Sequence, residues 1–222
     1  MYESRGGNEM LLGELREKVV EYGRRMLENK LTTGTGGNIS IYHRESGLMV
    51  ISPSGLDYME TRANDVVVMN LKGDIIDGDR KPSSEYELHT IFYLGREDIS
   101  ALVHTHSIYA TTISCMNWDL PPVHYMVAVA GDDVRCAEYA TFGTRELAEN
   151  AYRAMENRKA VLLANHGMLA GATTVEQAFK IAEDIEFCCE LYHRTKSMGE
   201  PVIIDRGEMV RMRDKFRTYG QR

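Results

Sequence analysis

Met10, Leu11, Leu15, Val19, Tyr22 and Met26 recur at helical spacing, which predicts an amphipathic helix over residues 9–29 capped by Asn8. The pattern then changes period. Asn38-Ile39-Ser40-Ile41-Tyr42 alternates polar and apolar, as a half-buried strand does. Leu48–Ile51 follows the turn Glu45-Ser46-Gly47 as its hairpin partner. Val66–Met69 and Asp74–Ile76, split by Lys72-Gly73, form a second hairpin pattern. Beyond Pro82 the chain predicts a helix to about Leu94, a strand over Ser100–His106, a helix over Ile108–Cys115 and a strand over Val123–Val129. A helix over Arg145–Glu156 precedes a buried strand, Ala160–Leu163, which continues after a turn at Met168–Ala170. Thr174–Lys196 is the longest helical pattern, capped by Thr173 or Thr174, and a last helix spans about Arg206–Arg217.

Strands joined by tight turns pair antiparallel, and the interspersed helices must cover the faces of their sheet. The expected fold class is therefore α/β, a three-layer α/β/α domain with a mainly antiparallel central sheet. With no repeat or linker in view, residues 1–222 are expected to form a single domain.

Composition narrows the partners. Acidic residues outnumber basic ones, 33 against 26, giving a net charge of −7. This argues against a general nucleic-acid binder, although local donors can still hold a small phosphorylated molecule. No run reaches the ~18 apolar residues that a membrane span needs. The charged N-terminus carries no secretory pattern. Cys115, Cys136, Cys188 and Cys189 form no C-x-x-C pair and are expected as reduced thiols packed in a core. The expected setting is cytoplasmic.

Three histidines suggest metal chemistry. His104 and His106, one residue apart at a strand end, present both imidazoles on one face. His166, in Ala164-Asn165-His166-Gly167, follows another buried strand. Three neutral imidazoles would hold zinc and leave a position open, the pattern of a catalytic site. An H-x-H pair alone is equally two polar residues at a strand end. Glu85 stands behind Ser83 and Ser84 in the first turn of a helix, where a glutamate ordinarily serves as a cap or dipole partner. His89, one turn further on, competes as a ligand but ranks below Glu85. The segment Thr33-Gly34-Thr35-Gly36-Gly37-Asn38 precedes a strand, so it is neither a Rossmann nor a Walker loop. With Ser52-Pro53-Ser54-Gly55 and Pro82-Ser83-Ser84 it makes three small polar clusters ahead of the histidines. Each alone is an ordinary turn; together they suggest a phosphate pocket.

The ordered set TGTGGNIS, SPSG, KPSSE, VHTHS, VHYMVAVAG, YATFGT, ANHG and FRTYG resembles the class II aldolase and adducin family from about residue 10 to the C-terminus. Within the family, Pro122–Thr144 and the terminal RTYG resemble the branch acting on L-fuculose 1-phosphate. The resemblance implies a zinc-dependent aldehyde-lyase that interconverts a ketose 1-phosphate with dihydroxyacetone phosphate and a small aldehyde such as L-lactaldehyde. It implies His104, His106 and His166 as metal ligands and Glu85 as both resting ligand and base. Thr35, Gly37, Asn38, Ser54, Gly55, Ser83 and Ser84 match positions that grip the substrate phosphate. Tyr125 and Tyr219 match tyrosines that work in a neighbouring subunit's site within a homotetramer. Taken alone, Tyr125 would be a core residue and Tyr219 part of a frayed end. Three imidazoles and a carboxylate accept Zn2+, Mn2+ or Co2+. Burial is expected to raise the pKa of Glu85 and so strengthen it as a base.

Rival readings share the scaffold. They are a methylthioribulose-phosphate dehydratase, a pentose-phosphate 4-epimerase and a non-catalytic metal-binding or interaction module. The stretch His124-Tyr125-Met126-Val127-Ala128 lacks the acidic residue that an epimerase places nearby. A cupin-like metal protein would be almost all strand, which the helical patterns oppose.

Overall fold

The structure, a computed structural model, describes residues 10–216. Its helices are α1 (Gly13–Glu28), α2 (Tyr86–Gly95), α3 (Ile108–Cys115), α4 (Arg145–Ala154), α5 (Val175–Met198) and α6 (Arg206–Phe216). Its strands are β1 (Asn38–His43), β2 (Leu48–Ile51), β3 (Val67–Asn70), β4 (Ile75–Asp77), β5 (Ala101–Thr105), β6 (Cys136–Ala137), β7 (Ala160–Leu163) and β8 (Gly167–Ala172). The eight strands form one sheet in the order β4-β3-β2-β1-β5-β8-β7-β6. Every pairing is antiparallel except β6 with β7.

Alternation sorts each strand between two cores. Ile39, Ile41, Ala101 and Val103 face a core shared with α1, α3, α5 and α6. Leu102, Met49, Ile51, Val161 and Leu163 face the other, filled by Leu88, Phe92 and Tyr93 of α2 and Leu147 and Ala151 of α4. This is the expected three-layer arrangement. The register sets Asn38 of β1 opposite His104 of β5, so both turn their side chains toward the α2 layer.

Several local expectations change. Helix α1 starts at Gly13 with a left-handed Leu12 as its N-cap; Asn8, the expected cap, lies outside the described residues. The apolar run expected as a strand over Val123–Val129 is a 3-10 helix over Tyr125–Val129, packed against α5 and α6. Its N–H groups find partners locally: the His124 side chain accepts from Met126 N, and Val127 N donates to the His124 carbonyl. The two-residue edge strand β6 was not expected. Cys188 and Cys189 lie in the core, but Cys115 is exposed and Cys136 half-buried.

A buried cation ties α1 to the far edge of the sheet. Arg16 is 2% exposed; it donates to the carbonyls of Leu11 (2.9 Å) and Val66 (3.1 Å) and pairs with Asp77. Asp77 keeps half its side chain in water, so removing the guanidinium strands two carbonyls more than a charge. Arg16→Leu should therefore cost about 2 kcal/mol. A urea midpoint equal to that of the parent protein would refute this.

Candidate metal centre and active site

The histidines reach one point from two neighbouring strand ends. His104 is the penultimate residue of β5 and His106 lies just past its end. His166 sits at the tip of the β7–β8 turn, where Asn165 takes the left-handed conformation that asparagine tolerates. The Nε2 atoms converge: His106 to His104 is 3.0 Å and His104 to His166 is 3.3 Å. Glu85 closes the group, with Oε2 3.3 Å from His104 Nε2 and Oε1 3.5 Å from His166 Nε2. The four donor atoms all lie within 4.8 Å of one another.

Glu85 does not sit in the first helical turn as expected; it is the N-cap residue of α2. Its side chain makes no capping hydrogen bond. The carboxylate instead turns inward, where Asn38 Nδ2 donates to Oε2 at 2.9 Å and the buried Oε1 has no hydrogen-bond partner. The helical cap, its ordinary role, is therefore not the role it has. His89, the competing ligand, is fully buried and bonds Asn38 and Ser40 rather than the cluster.

The donor set fits a divalent cation. His104 Nδ1 lies 2.9 Å from the Met168 carbonyl, a bond that requires its proton on Nδ1 and leaves a lone pair on Nε2. An orphaned carboxylate oxygen facing three imidazoles is what a cation would satisfy. Without a cation, a proton on His104 Nε2 takes its place. Burial is the strongest single effect and opposes that proton, but the Glu85 charge, its hydrogen bond and the Met168 carbonyl together outweigh burial and the His104 pKa rises. Burial, followed by the charge on His104, pushes His106 down to about 3 and His166 down to about 4.

Glu85 departs from expectation here. Burial works to raise its pKa, but the charges of His104 and His166 and the Asn38 hydrogen bond together hold it well below the usual carboxylate range. Burial alone is not the deciding effect, and in this arrangement Glu85 is an ionised, weak base.

Two glycines make the histidine geometry possible. A Cβ on Gly37, whose φ is +70°, would lie 2.5 Å from the His104 carbonyl oxygen. A Cβ on Gly167 would lie 2.3 Å from the Thr105 carbonyl oxygen and 3.1 Å from the His106 ring. Gly167→Ala must therefore push β8 away from β5 and spread the ligands. Metal affinity should fall by about 10- to 100-fold, a loss typical of disturbed outer-shell support. Equilibrium dialysis showing unchanged affinity would refute this.

The three small polar clusters meet beside Glu85. Ser54 N donates to the Lys81 carbonyl (2.9 Å), and Ser83 N to the Ser52 carbonyl (3.0 Å). Ile39 N donates to Ser52 Oγ (3.1 Å), Tyr58 OH to the Gly37 carbonyl (2.7 Å), and Glu85 N to Ser83 Oγ (3.3 Å). Thr35, Ser54, Gly55 and Ser84 are exposed, Gly37 is half-buried, and Ser83 and Asn38 are buried. The Asn38 amide is engaged at both ends, by Glu85 and by His89.

Tyr125 is 47% exposed, not core, and its ring stacks parallel to Phe216. Tyr219 lies outside the described residues. Sequence reasoning missed Glu186 of α5. Its carboxylate accepts from Ser107 Oγ (2.7 Å) and from the N–H groups of Tyr109 and Ala110 (2.8 Å each). It thereby caps α3 from outside and anchors the chain just after His106. A glutamate mid-helix carries no local signal for that role.

The family profile described as the class II aldolase and adducin N-terminal domain matches residues 17–193. The chain belongs to the class II aldolase and adducin family. It is 56% identical over 212 residues to the 5-deoxy-D-ribulose 1-phosphate aldolase of Bacillus thuringiensis serovar kurstaki, covering 96% of this chain and 100% of that one. To the L-fuculose phosphate aldolase of Escherichia coli K12 it is 36% identical over 211 residues, covering 94% and 97%. A solved L-fuculose 1-phosphate aldolase superposes with a TM-score of 0.92 at 49% identity, covering 95% and 100%. Among the described residues no helix is long and apolar enough to cross a membrane.

Proposed function

We propose that the protein is a metal-dependent aldolase that cleaves a short ketose 1-phosphate to dihydroxyacetone phosphate and a small aldehyde. The observation that carries this reading is the unpartnered, buried Glu85 Oε1 facing three converging imidazoles. His104, His106 and His166, with Glu85 at rest, would hold Zn2+, or Mn2+ or Co2+. When bound, such an ion supplies Lewis acidity toward the carbonyl and hydroxyl oxygens of the substrate.

The chain's own residues supply the rest. The cradle of Thr35, Gly37, Ser54, Gly55, Ser83 and Ser84 grips the phosphate through hydroxyls and backbone N–H groups, with Asn38 at its inner edge. In the condensation direction Glu85 Oε1 takes a proton from C3 of dihydroxyacetone phosphate; in cleavage it returns it. A turn of Oε1 away from the histidines, with Oε2 still held by Asn38, removes the positive charges that keep Glu85 acidic. Burial then raises its basicity at the moment it must act. Tyr125 and Tyr219, reaching an adjoining subunit of a homotetramer, would donate a proton to the new alkoxide. The exposed Tyr125 ring supports such an outward role.

The aldehyde is where relatives divide. The 56% identical relative is named for a 5-deoxypentulose phosphate and the 36% identical one for a 6-deoxyhexulose phosphate. We therefore place 5-deoxyribulose 1-phosphate ahead of L-fuculose 1-phosphate. Breaking its C3–C4 bond gives dihydroxyacetone phosphate and acetaldehyde; the fuculose substrate gives L-lactaldehyde. The two aldehydes differ by one hydroxymethylene: an apolar pocket separates a difference of about one carbon by about 10- to 200-fold, whereas a site that hydrogen-bonds the hydroxyl rejects the analogue lacking it by about 10⁴-fold or more. The test is kcat/KM of the metal-loaded protein on both substrates, with products resolved by NMR. Higher kcat/KM on the deoxypentulose supports the assignment. Preference for fuculose 1-phosphate reverses the order, and dehydration or epimerisation without aldehyde release sinks the aldolase reading.

A further inference from the structure

Behind Glu85 runs a line of buried polar side chains that the proposed chemistry does not use. Glu85, His89 and Tyr93 are spaced four residues apart and form one stripe along the start and inner face of α2. Asn38 and Ser40, two apart, face them from β1. Asn38, Ser40, His89 and Tyr93 are each 3% exposed or less. The contacts run in sequence: Glu85 Oε2 to Asn38 Nδ2, 2.9 Å; Asn38 Oδ1 to His89 Nε2, 2.5 Å; His89 Nδ1 to Ser40 Oγ, 2.6 Å; Ser40 Oγ to Tyr93 OH, 2.5 Å.

We propose that His89, fixed by Ser40 and Tyr93, is a positioning residue that orients the Asn38 amide and through it holds Glu85 so that Oε1 faces the reacting carbon. The proposal rests on the reading of Glu85 as the base.

With the His89 ring neutral in its fully buried position, donor and acceptor chemistry permits one assignment along the chain. A carboxylate only accepts, so Asn38 must offer Nδ2 to Glu85 and therefore Oδ1 to His89. The short contact at Oδ1 requires the proton on His89 Nε2. A neutral ring protonated there has a bare Nδ1, which accepts a hydrogen bond from Ser40 Oγ–H. Ser40 Oγ then accepts from Tyr93 OH, whose single proton is shared between Ser40 Oγ and the Ser40 carbonyl at 3.0 Å. Tyr42 stacks on Tyr93 at 5.1 Å and closes the outer end. Burial, with the nearby His104 charge, keeps the His89 ring neutral, as the chain requires.

If the far end loosens, the constraint on the near end fails. Without Ser40 the imidazole is free to move its proton to Nδ1. Its bare Nε2 then faces Asn38 Oδ1, two acceptors in contact, and the amide flips. A flipped amide sets an oxygen against Glu85 Oε2 and drives the carboxylate out of line.

The test uses Ser40→Ala, His89→Leu and His89→Gln in metal-loaded protein. It reads kcat and KM for cleavage of 5-deoxyribulose 1-phosphate, C–H exchange of dihydroxyacetone phosphate in deuterated water, and bound metal. We expect Ser40→Ala to lower kcat and exchange by about tenfold and His89→Leu by about 100-fold, with KM and bound metal nearly unchanged. Glutamine can donate to Asn38 and accept from Ser40, so His89→Gln should recover most of the loss. Wild-type kcat in both Ser40→Ala and His89→Leu overturns the proposal. So does a loss that follows metal content or folded fraction and that His89→Gln does not relieve, since that marks a merely structural chain. If His89→Leu does not fold, Ser40→Ala, which removes one oxygen, decides alone. Glu85→Gln measured alongside separates the two readings. Exchange surviving in Glu85→Gln fails the base itself, whereas exchange lost there but intact in Ser40→Ala and in every His89→Leu protein that folds fails only the chain.

Discussion

Glu85→Gln should reduce carbon–hydrogen exchange of dihydroxyacetone phosphate in deuterated water by about 1,000-fold or more while the protein stays folded and metal-loaded. The physical basis is the isolation of this carboxylate. Oε1 is buried without a hydrogen-bond partner, and among the described residues no other carboxylate belongs to the cluster. A positioned general base contributes about 10²- to 10⁴-fold, and an amide cannot take the proton. Glutamine has nearly the same shape, so the Asn38 contact can persist through the amide oxygen and the core need not repack. Three imidazoles remain, enough to retain a divalent ion. Exchange measured without any aldehyde isolates proton abstraction from carbon–carbon bond formation. An exchange rate within tenfold of the parent, in protein shown to hold its metal, would remove Glu85 from the role of base and reopen the dehydratase and epimerase alternatives.

Stripping the metal with a chelator should abolish cleavage and lower the melting temperature together, and Zn2+, Mn2+ or Co2+ should restore both to different extents. The cluster places three Nε2 atoms and a carboxylate together with His104 fully buried. Ligand atoms held this close repel one another or share a proton when no cation is present. A cation bound only by the folded state stabilises it by mass action, about 4 kcal/mol at a thousandfold excess over its dissociation constant. The restoring ion of highest activity need not bind most tightly, because N/O sites rank these metals by affinity in one order and by Lewis acidity and geometry in another. Full cleavage activity in protein with less than a tenth of an equivalent of any metal would exclude the metal-dependent reading. A melting temperature that does not change on metal removal would place the ion somewhere other than between these strands.

Much of the site was legible before any fold was known, because it is carried by period and by rare residues. The alternation of Asn38–Tyr42 and the one-residue gap between His104 and His106 each follow from the two-residue repeat of a strand. The switch from that repeat to helical spacing marked five helices closely and all the long strands. The segment Tyr125–Val129 reads as a strand but folds as a helical turn for a physical reason. Five apolar and aromatic residues in a row satisfy a strand and a buried helical turn equally. Packing against α5 and α6 chose the helical turn.

What the sequence by itself determined was the inventory and the layering: an α/β chain with histidines at strand ends, a glutamate at a helix start and three small polar turns ahead of them. These depend on neighbours within a few residues, and local physics suffices to read them. Only the tertiary structure decided how they are used. The Glu85 side chain left its helical cap because Asn38 and the histidines, distant in sequence, offered better partners. Its pKa moved down and not up because burial, the largest single effect, was outweighed by the imidazole charges and the hydrogen bonds from His104 and Asn38 acting together, a balance set by distances near 2.9–3.5 Å that no spacing encodes. The line from Asn38 through His89 and Ser40 to Tyr93 exists because a two-residue repeat on β1 meets a four-residue repeat on α2. The register and docking that join them are made only when the sheet and helix pack.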